Sequence, residues 1–295
     1  MKRLIQYLWP VLALTILVIF SKTAIEGAKN GLFLWANVIV PTLLPFIILT
    51  NIILRGQTLA YLVNQPLFKK FHPGILMSIF VGFLCGYPMG GKFVHDLFVS
   101  GYIDYKLANI LLVHCNNASP MFILGYVIYY GLPEGLSPLS VFIAIYGPNL
   151  LLFFFRYRRY KTQKDKSARL EIPNHELSLR DIFLDSLSTI FIIGIYIMIF
   201  SIITTLLIPF AKGLFFYPIA SLEVTVGISL IKECVFSDIK KTVLIVMLTS
   251  FGGCSAIAQT KSVANHKALS FLSYTFWKLC IAMLSGTMIY LMLLI

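Results

Sequence analysis

The chain has 295 residues, 58% of them hydrophobic and 12% charged, with a formal net charge of +12 and a mean hydropathy of +0.86. Such a chain is solvated mostly by lipid, which excludes a soluble enzyme and also the nucleic-acid binder that the basic balance alone would suggest. The expected fold class is an all-α polytopic membrane protein.

Lys2 and Arg3 precede an apolar run, 4–20, that reads as a retained first spanning helix starting in the cytoplasm. It is long for a secretory core, and no small-x-small cleavage site follows it. Residues 21–30 read as a short polar, interfacial piece. The run 31–54 has spanning length but contains Pro41 and Pro45, so a kink or unwound turn is expected, with Asn37, Thr42, Thr50 and Asn51 on its polar side. Arg55, Lys69, Lys70 and His72 place the next connection in the cytoplasm.

Two motifs then interrupt apolar sequence. GYPMGG at 86–91 has arms of about ten residues on each side, about 15 Å each at 1.5 Å per residue, against a hydrocarbon core of about 30 Å. Neither arm spans, so 75–99 is drawn as a re-entrant hairpin. Its tip needs protein or water around it, because free backbone groups are not tolerated in lipid. The next segment, 105–130, is long enough to cross but carries CNNASP at 115–120, and so reads as a broken helix. Close packing explains the glycines alone, and interhelical hydrogen bonds explain Asn116 and Asn117 alone. Together the motifs favour a site lined by helix ends. An outer turn and a return helix, 140–155, lead to 156–180, whose eight basic residues stand against three acids and mark a cytoplasmic linker.

The second membrane half, 181–295, opens with an apolar segment, 181–208, and a turn, 210–217. Residues 218–233 place Glu223 and Thr225 in an apolar stretch, 241–265 reads as a second hairpin with an FGGCSA tip, and a last helix closes the chain. This half repeats the first, 1–155, in the same order, with Lys92 over Lys261 and Pro45 over Pro218. Lys232, Lys240, Lys241, Lys261 and Lys267 put the flanks of the second hairpin inside, like those of the first. Either the halves are parallel, or 211–232 does not fully span.

Glu223 is the sharpest single residue. An acid in an apolar span costs about 2.5 kcal/mol or more, so it should face a cavity, a cation or a partner. It reads as a contact for substrate or coupling ion, as a proton carrier, or as one half of a structural pair with Lys92, Lys212 or Lys232. Lys92, His95 and Asp96 hold an anion or pair among themselves. The five cysteines form no CxxC pair and His114 has no second ligand at metal spacing, so neither a metal site nor a disulfide frame is expected. With no GxSxG, HExxH or P-loop, an enzyme is not expected, and an intramembrane protease or lipid-head-group enzyme is the alternative of that class.

GLFLWANVIVPTLLPFII, VGFLCGYPMGGKFV, HCNNASPMFILG and LEVTVG resemble the YlbJ-like sporulation integral membrane proteins, of the nucleoside-recognition (Gate) domain superfamily. The resemblance implies a fold related to concentrative nucleoside transporters, drawn with inverted halves, in which two hairpins and two broken helices surround the substrate. It implies a role in endospore formation, with dipicolinate, a small aromatic dianion, as the leading solute. The implied substrate contacts are Gly86, Tyr87, Pro88, Met89, Gly90 and Gly91, then Asn116, Asn117 and Ser119, then Glu223 and Thr225. Gly252, Gly253 and Ser255 match by position in the repeat. The residues themselves suit a carboxylate through free tip N–H groups and helix N-termini, with Lys92 and Lys261 adding charge. Asn116, Asn117, Gln259 and Thr260 suit a neutral nucleoside instead, and a non-transporting scaffold of the sporulation apparatus is the reading from another class. A small-molecule substrate, the lipid bilayer and coupling to protons or sodium ions are expected, with no cofactor and no nucleic acid. A homo-oligomer is compatible with this reading, in the bacterial cell membrane or a forespore membrane.

Overall fold

The computed structural model describes residues 2–55, 73–160 and 178–294. The connection expected at 56–72 and most of the basic linker lie outside the described residues, among which there is no strand. Among the described residues, four helical segments are each long and apolar enough to cross a membrane, Pro138–Arg159, Leu179–Phe210, Asp238–Val263 and Phe271–Leu294. The chain is a multi-pass membrane protein.

Helix α1 (Lys2–Ile19) is followed by α2 (Ser21–Leu34), a π-helical turn (Trp35–Ile39) and α3 (Val40–Arg55). The segments Leu8–Ile19 and Ser21–Ile39 meet at 96°. Pro41 brings no amide hydrogen to the ladder. The helix absorbs it in a wider turn, with Val40 N–H reaching back to the Trp35 carbonyl. Residues 21–30 are not an interfacial piece, as their polarity suggests, because α2 lies along α9 (Leu179–Leu207). Gly27 and Gly31 bring the two backbones together, since a Cβ on either would come within 2.9 Å of the facing helix. Ser201 Oγ donates to Gly27 O at 2.8 Å, Trp35 Nε1 to Ile190 O at 2.9 Å, and Asn51 Nδ2 to Ser186 Oγ at 2.8 Å. Residue numbers rise along one helix as they fall along the other, so 21–55 runs antiparallel to α9.

The first hairpin pairs α4 (Pro73–Cys85) with α5 (Met89–Val99) around a tip at 86–88. The broken segment follows as α6 (Tyr105–His114), a break at 115–119, and α7 (Pro120–Phe122) continuing as a π-helix, Ile123–Gly131. Each start has a local cause. Asp104 caps α6 by accepting from Leu107 N–H at 2.7 Å, and Ser119 caps α7 with Pro120 at its first position. Helix α8 (Pro138–Arg159) returns alongside. Tyr160 meets Asp104, Asn149 meets His114 and Tyr146 meets Ala118, so the broken segment traverses the bundle antiparallel to α8.

The glycines at 252 and 253 predict a hairpin over 241–265, but the structure has a single span there. Helix α12 (Asp238–Phe251) passes through Gly252, whose φ is +87°, into α13 (Gly253–Val263), and Asp238–Val263 forms one 26-residue segment. The fold-back lies earlier, between α10 (Phe216–Ala220) and α11 (Val224–Glu233), with its tip at 221–223. A Cβ on Gly227 would stand 2.0 Å from the Ala220 carbonyl oxygen, an approach that a straight helix could not make. Helix α14 (Phe271–Leu294) closes the chain. Each half therefore runs hairpin, broken span, closing helix, and Glu223 occupies a tip where a spanning helix with a polar residue was expected. The registers setting Lys92 over Lys261 and Pro45 over Pro218 do not hold.

The relative direction of the halves follows from side-chain pairs. Tyr126 Oη donates to Thr225 O at 2.9 Å and Tyr130 Oη lies 3.2 Å from Ser229 Oγ, so α11 runs in the same sense as the second part of the first broken span. Helix α5 likewise runs alongside α13, with Asn116 linking Gly91 to Thr260. The first hairpin opens at the end of the bundle where Tyr160 and Asp104 meet, and the second opens at the opposite end. The five basic residues expected on one side do not share it: 211–232 folds back instead of spanning, and Asp238–Val263 then separates Lys240 and Lys241 from Lys261. Lys232, whose Nζ lies 4.0 Å from the Tyr130 ring, is at the far end from Lys261.

Candidate functional site

Both tips and both breaks converge at the centre of the bundle, and each tip is hydrogen-bonded to the break of its own half. Tyr87 N–H donates to Asn117 O at 2.8 Å; in the other half, Cys254 N–H donates to Ser221 O at 2.9 Å and Ser255 N–H to Leu222 O at 2.8 Å. These bonds satisfy backbone groups that helix ends leave free, which a membrane interior requires. Gly86, at φ +72°, turns the first tip against the break, where a Cβ would come within 2.8 Å of Ser119 N.

Asn116, fully buried, ties the halves together. Its Oδ1 accepts from Gly91 N–H at 3.1 Å, and its Nδ2 donates to Thr260 Oγ1 at 2.7 Å and to Tyr274 Oη at 2.8 Å. Asn116→Leu is expected to leave the Gly91 N–H buried and unpaired, costing about 1–3 kcal/mol. The measurement is thermal unfolding of the purified protein in detergent, and an unchanged midpoint would contradict this bonding.

A cavity of about 30 Å³, room for a water-sized guest, lies between the tips. Its polar lining comes from Tyr87, Ser119, Glu223, Thr225 and Gln259; Ile39, Leu43, Phe122, Ile193 and Ile197 supply much of its apolar wall. Glu223, 2% exposed, caps α11: its Oε2 accepts from Thr225 Oγ1 and, at 2.8 Å, from Val226 N–H. Among the described residues no Lys or Arg nitrogen comes within 4.0 Å of this carboxylate, so the pairing with Lys92, Lys212 or Lys232 is not present.

The other site candidates divide. Pro88, Met89 and Gly90 are buried in the first hairpin, and Ser255 is buried beneath the second tip, where Oγ accepts from Gln259 Nε2 at 3.0 Å. Gly253 packs its backbone against the second tip, and Gly252 faces the Tyr87 ring across the halves. Lys92 and Lys261 are exposed and do not line the cavity, so they do not supply the cationic contact that their places after the glycines suggest. His95 Nδ1 lies 3.3 Å from Asp96 Oδ1, so those two pair with each other. His114 bonds Asn149 across helices, at 2.9 Å between Nδ1 and Oδ1.

A buried base that sequence reasoning passed over stands beside the first break. Lys278, 1% exposed, donates from Nζ to Asn117 Oδ1 at 2.7 Å, and Asn117 Nδ2 donates to His114 O at 2.6 Å. Asn117 thus holds Lys278 with its side chain and the first tip with its carbonyl. The signal was present in FWKLCIAML, where a lysine interrupts the apolar closing helix about two turns after its start.

No family model matches the chain, and no solved structure matches it. Its sequence is similar to that of the sporulation integral membrane protein YlbJ of Bacillus subtilis (strain 168), 24% identical over 299 residues that cover 85% of this chain and 72% of the relative.

Proposed function

We propose that this protein is a secondary transporter of a small anionic solute, with dipicolinate as the leading candidate, acting in endospore formation. One observation carries the reading: two oppositely directed hairpins, each bonded to the broken span of its own half, meet at one buried polar cavity. This is the arrangement by which inverted-repeat transporters expose helix ends to a solute at mid-membrane, in the manner of the concentrative nucleoside transporters and the Gate superfamily. The N-termini of α7 and α11 both face the cavity. Glu223 already caps one of them, and Ser119 alone caps the other, leaving that positive helix end for a carboxylate. Lys278 does not line the cavity, but its bond to Asn117 puts a buried amine beside the first break, a group of the kind once expected from Lys92.

The cavity as it stands is too small for an aromatic ring, so binding requires a tip to move. An apolar cavity of about 290 Å³ behind the second hairpin, lined by Tyr217, Ile231, Leu248 and Met283 among others, gives that hairpin room to shift. A nucleoside-type solute is the second reading, favoured by a cavity lining that includes Glu223, Gln259 and Ser119 but no Lys or Arg.

Reconstituted vesicles offered dipicolinate or uridine test the proposal. Dipicolinate accumulation that is lost in Lys278→Met and kept in Lys92→Met is the expected result. Uridine flux without dipicolinate flux favours the nucleoside-type reading, and flux of neither moves the protein to the scaffold class.

A further inference from the structure

The apolar cavity of about 290 Å³ behind the second hairpin shares no lining residue with the polar cavity between the tips. Ile231, Leu248 and Phe251 form its buried floor, whereas Tyr217, Leu279 and Met283 stand exposed at its rim. Phe276, Leu279, Met283 and Tyr290, all exposed, follow one face of α14, so the cavity opens onto the surface that this span turns to lipid. Water finds little to hold it there. Besides Tyr217 at the rim, the lining has one hydroxyl, Ser221 Oγ, which already donates to Pro218 O at 2.8 Å.

Leu244, Leu248 and Phe251 recur at helical spacing along α12 and line the cavity over about 10 Å, against about 15 Å of hydrocarbon in one leaflet. Lys240, four residues before Leu244, continues the same face toward the membrane surface. Its Nζ lies 3.8 Å from the centre of the Phe236 ring, and that ring meets Phe216, a wall of the cavity, edge-on at 5.8 Å. Among the described residues no Asp or Glu oxygen comes within 4.0 Å of Lys240. The open end of the second hairpin carries Lys212, Lys232, Lys240 and Lys241 against Glu233 and Asp238, which leaves it basic. An apolar slot open to lipid beneath an unpaired cation complements an acyl chain beneath a phosphate. We propose that the cavity holds one acyl chain of an anionic glycerophospholipid, with its phosphate on Lys240. The chain then packs against the second hairpin from behind. On the transport reading, on which this consequence rests, the hairpin shifts into the cavity only after the chain withdraws, so the lipid holds the second tip closed.

The test offers purified protein in detergent either dioleoylphosphatidylglycerol or dioleoylphosphatidylcholine and reads retained lipid by native mass spectrometry. One phosphatidylglycerol per chain, held in preference to phosphatidylcholine, is the expected result. Lys240→Gln should weaken phosphatidylglycerol retention by about fivefold, the worth of one basic side chain at an anionic lipid surface, and leave phosphatidylcholine unchanged. Leu279→Trp, at the exposed rim, should block the opening and reduce both. Lys106→Gln, at the opposite end of the bundle, should change neither. Equal retention of the two lipids by the wild-type chain would overturn the anionic assignment, and retention unchanged in both Lys240→Gln and Leu279→Trp would overturn the site. A lipid-free dimer would give this face to a second copy and overturn it too. In phosphatidylglycerol vesicles Lys240→Gln should carry dipicolinate faster than the wild type; unchanged flux would overturn the hold of the lipid on the tip. Selective retention without flux of dipicolinate or uridine supports the lipid site while removing the transport reading. Flux in a chain that retains no lipid does the opposite.

Discussion

Gly90→Ala is expected to abolish recovery of folded protein, and Gly227→Ala to do the same in the other half. A Cβ on Gly90 would lie 2.0 Å from the Cys115 carbonyl oxygen and 3.1 Å from Gly82 Cα; one on Gly227 would lie 2.0 Å from the Ala220 carbonyl oxygen. In both cases the obstructing atoms are backbone, so relief requires moving a half-helix and breaking the bonds between tip and break. Ordinary overpacking costs about 1–3 kcal/mol because side chains can turn aside. Here the cost should exceed that range and approach the whole stability of a typical domain, about 5–15 kcal/mol. Gly147→Ala is the control, because its Cβ would meet side chains alone at ordinary contact distance, the flexible end of Met288 at 3.5 Å and Ile143 Cγ2 at 3.9 Å. Yield of monodisperse protein and its melting temperature are the readouts. Wild-type behaviour of Gly90→Ala or Gly227→Ala would mean that the hairpins do not close in this way.

The first tip and the first break are legible in sequence because glycine, proline and asparagine have no ordinary reason to interrupt apolar runs at 86–91 and 115–120. The second tip is not. Ser221, Leu222 and Glu223 contain no glycine or proline, and the residues around them read as an ordinary helix; the reversal depends on Gly227 passing Ala220, a contact invisible to local pattern. The glycines at 252 and 253 mislead for the opposite reason: they break a span without reversing it, and Gly253 lets the chain pass the second tip closely. Glu223 was legible through its charge, whereas its role as the cap of a half-helix required the tip to be placed correctly. The polarity of 21–30 was misleading too, since Gly27 and Gly31 serve helix packing rather than an interface. Lys278 was passed over because a single lysine in a closing helix carries no spacing signal; only its bond to Asn117 joins it to the site.

Asn117→Leu should destabilise the protein more than Lys278→Met, and the double variant should recover much of the loss. The Lys278 amine is buried and its hydrogen bond to Asn117 Oδ1 spans 2.7 Å. Removing the acceptor alone strands a donor in the membrane interior, at about 1–3 kcal/mol, and more where the donor is charged. Removing the lysine alone leaves an amide oxygen short of one bond and puts an apolar chain of similar length in its place, a change that is often close to neutral for buried ionic groups. The double variant retains only the loss of the Asn117 bond to His114 O. Melting temperatures of the four proteins give the coupling between the two side chains, which should be of the order of 1 kcal/mol or more. Flux separates stability from use: if Lys278 serves the solute, Lys278→Met is stable and inactive, and Lys278→Arg retains part of the flux. A Lys278→Met protein that transports at the wild-type rate would reduce Lys278 to a structural partner of Asn117, and the charge of an anionic solute would then have to be met by the helix N-terminus at Ser119 alone.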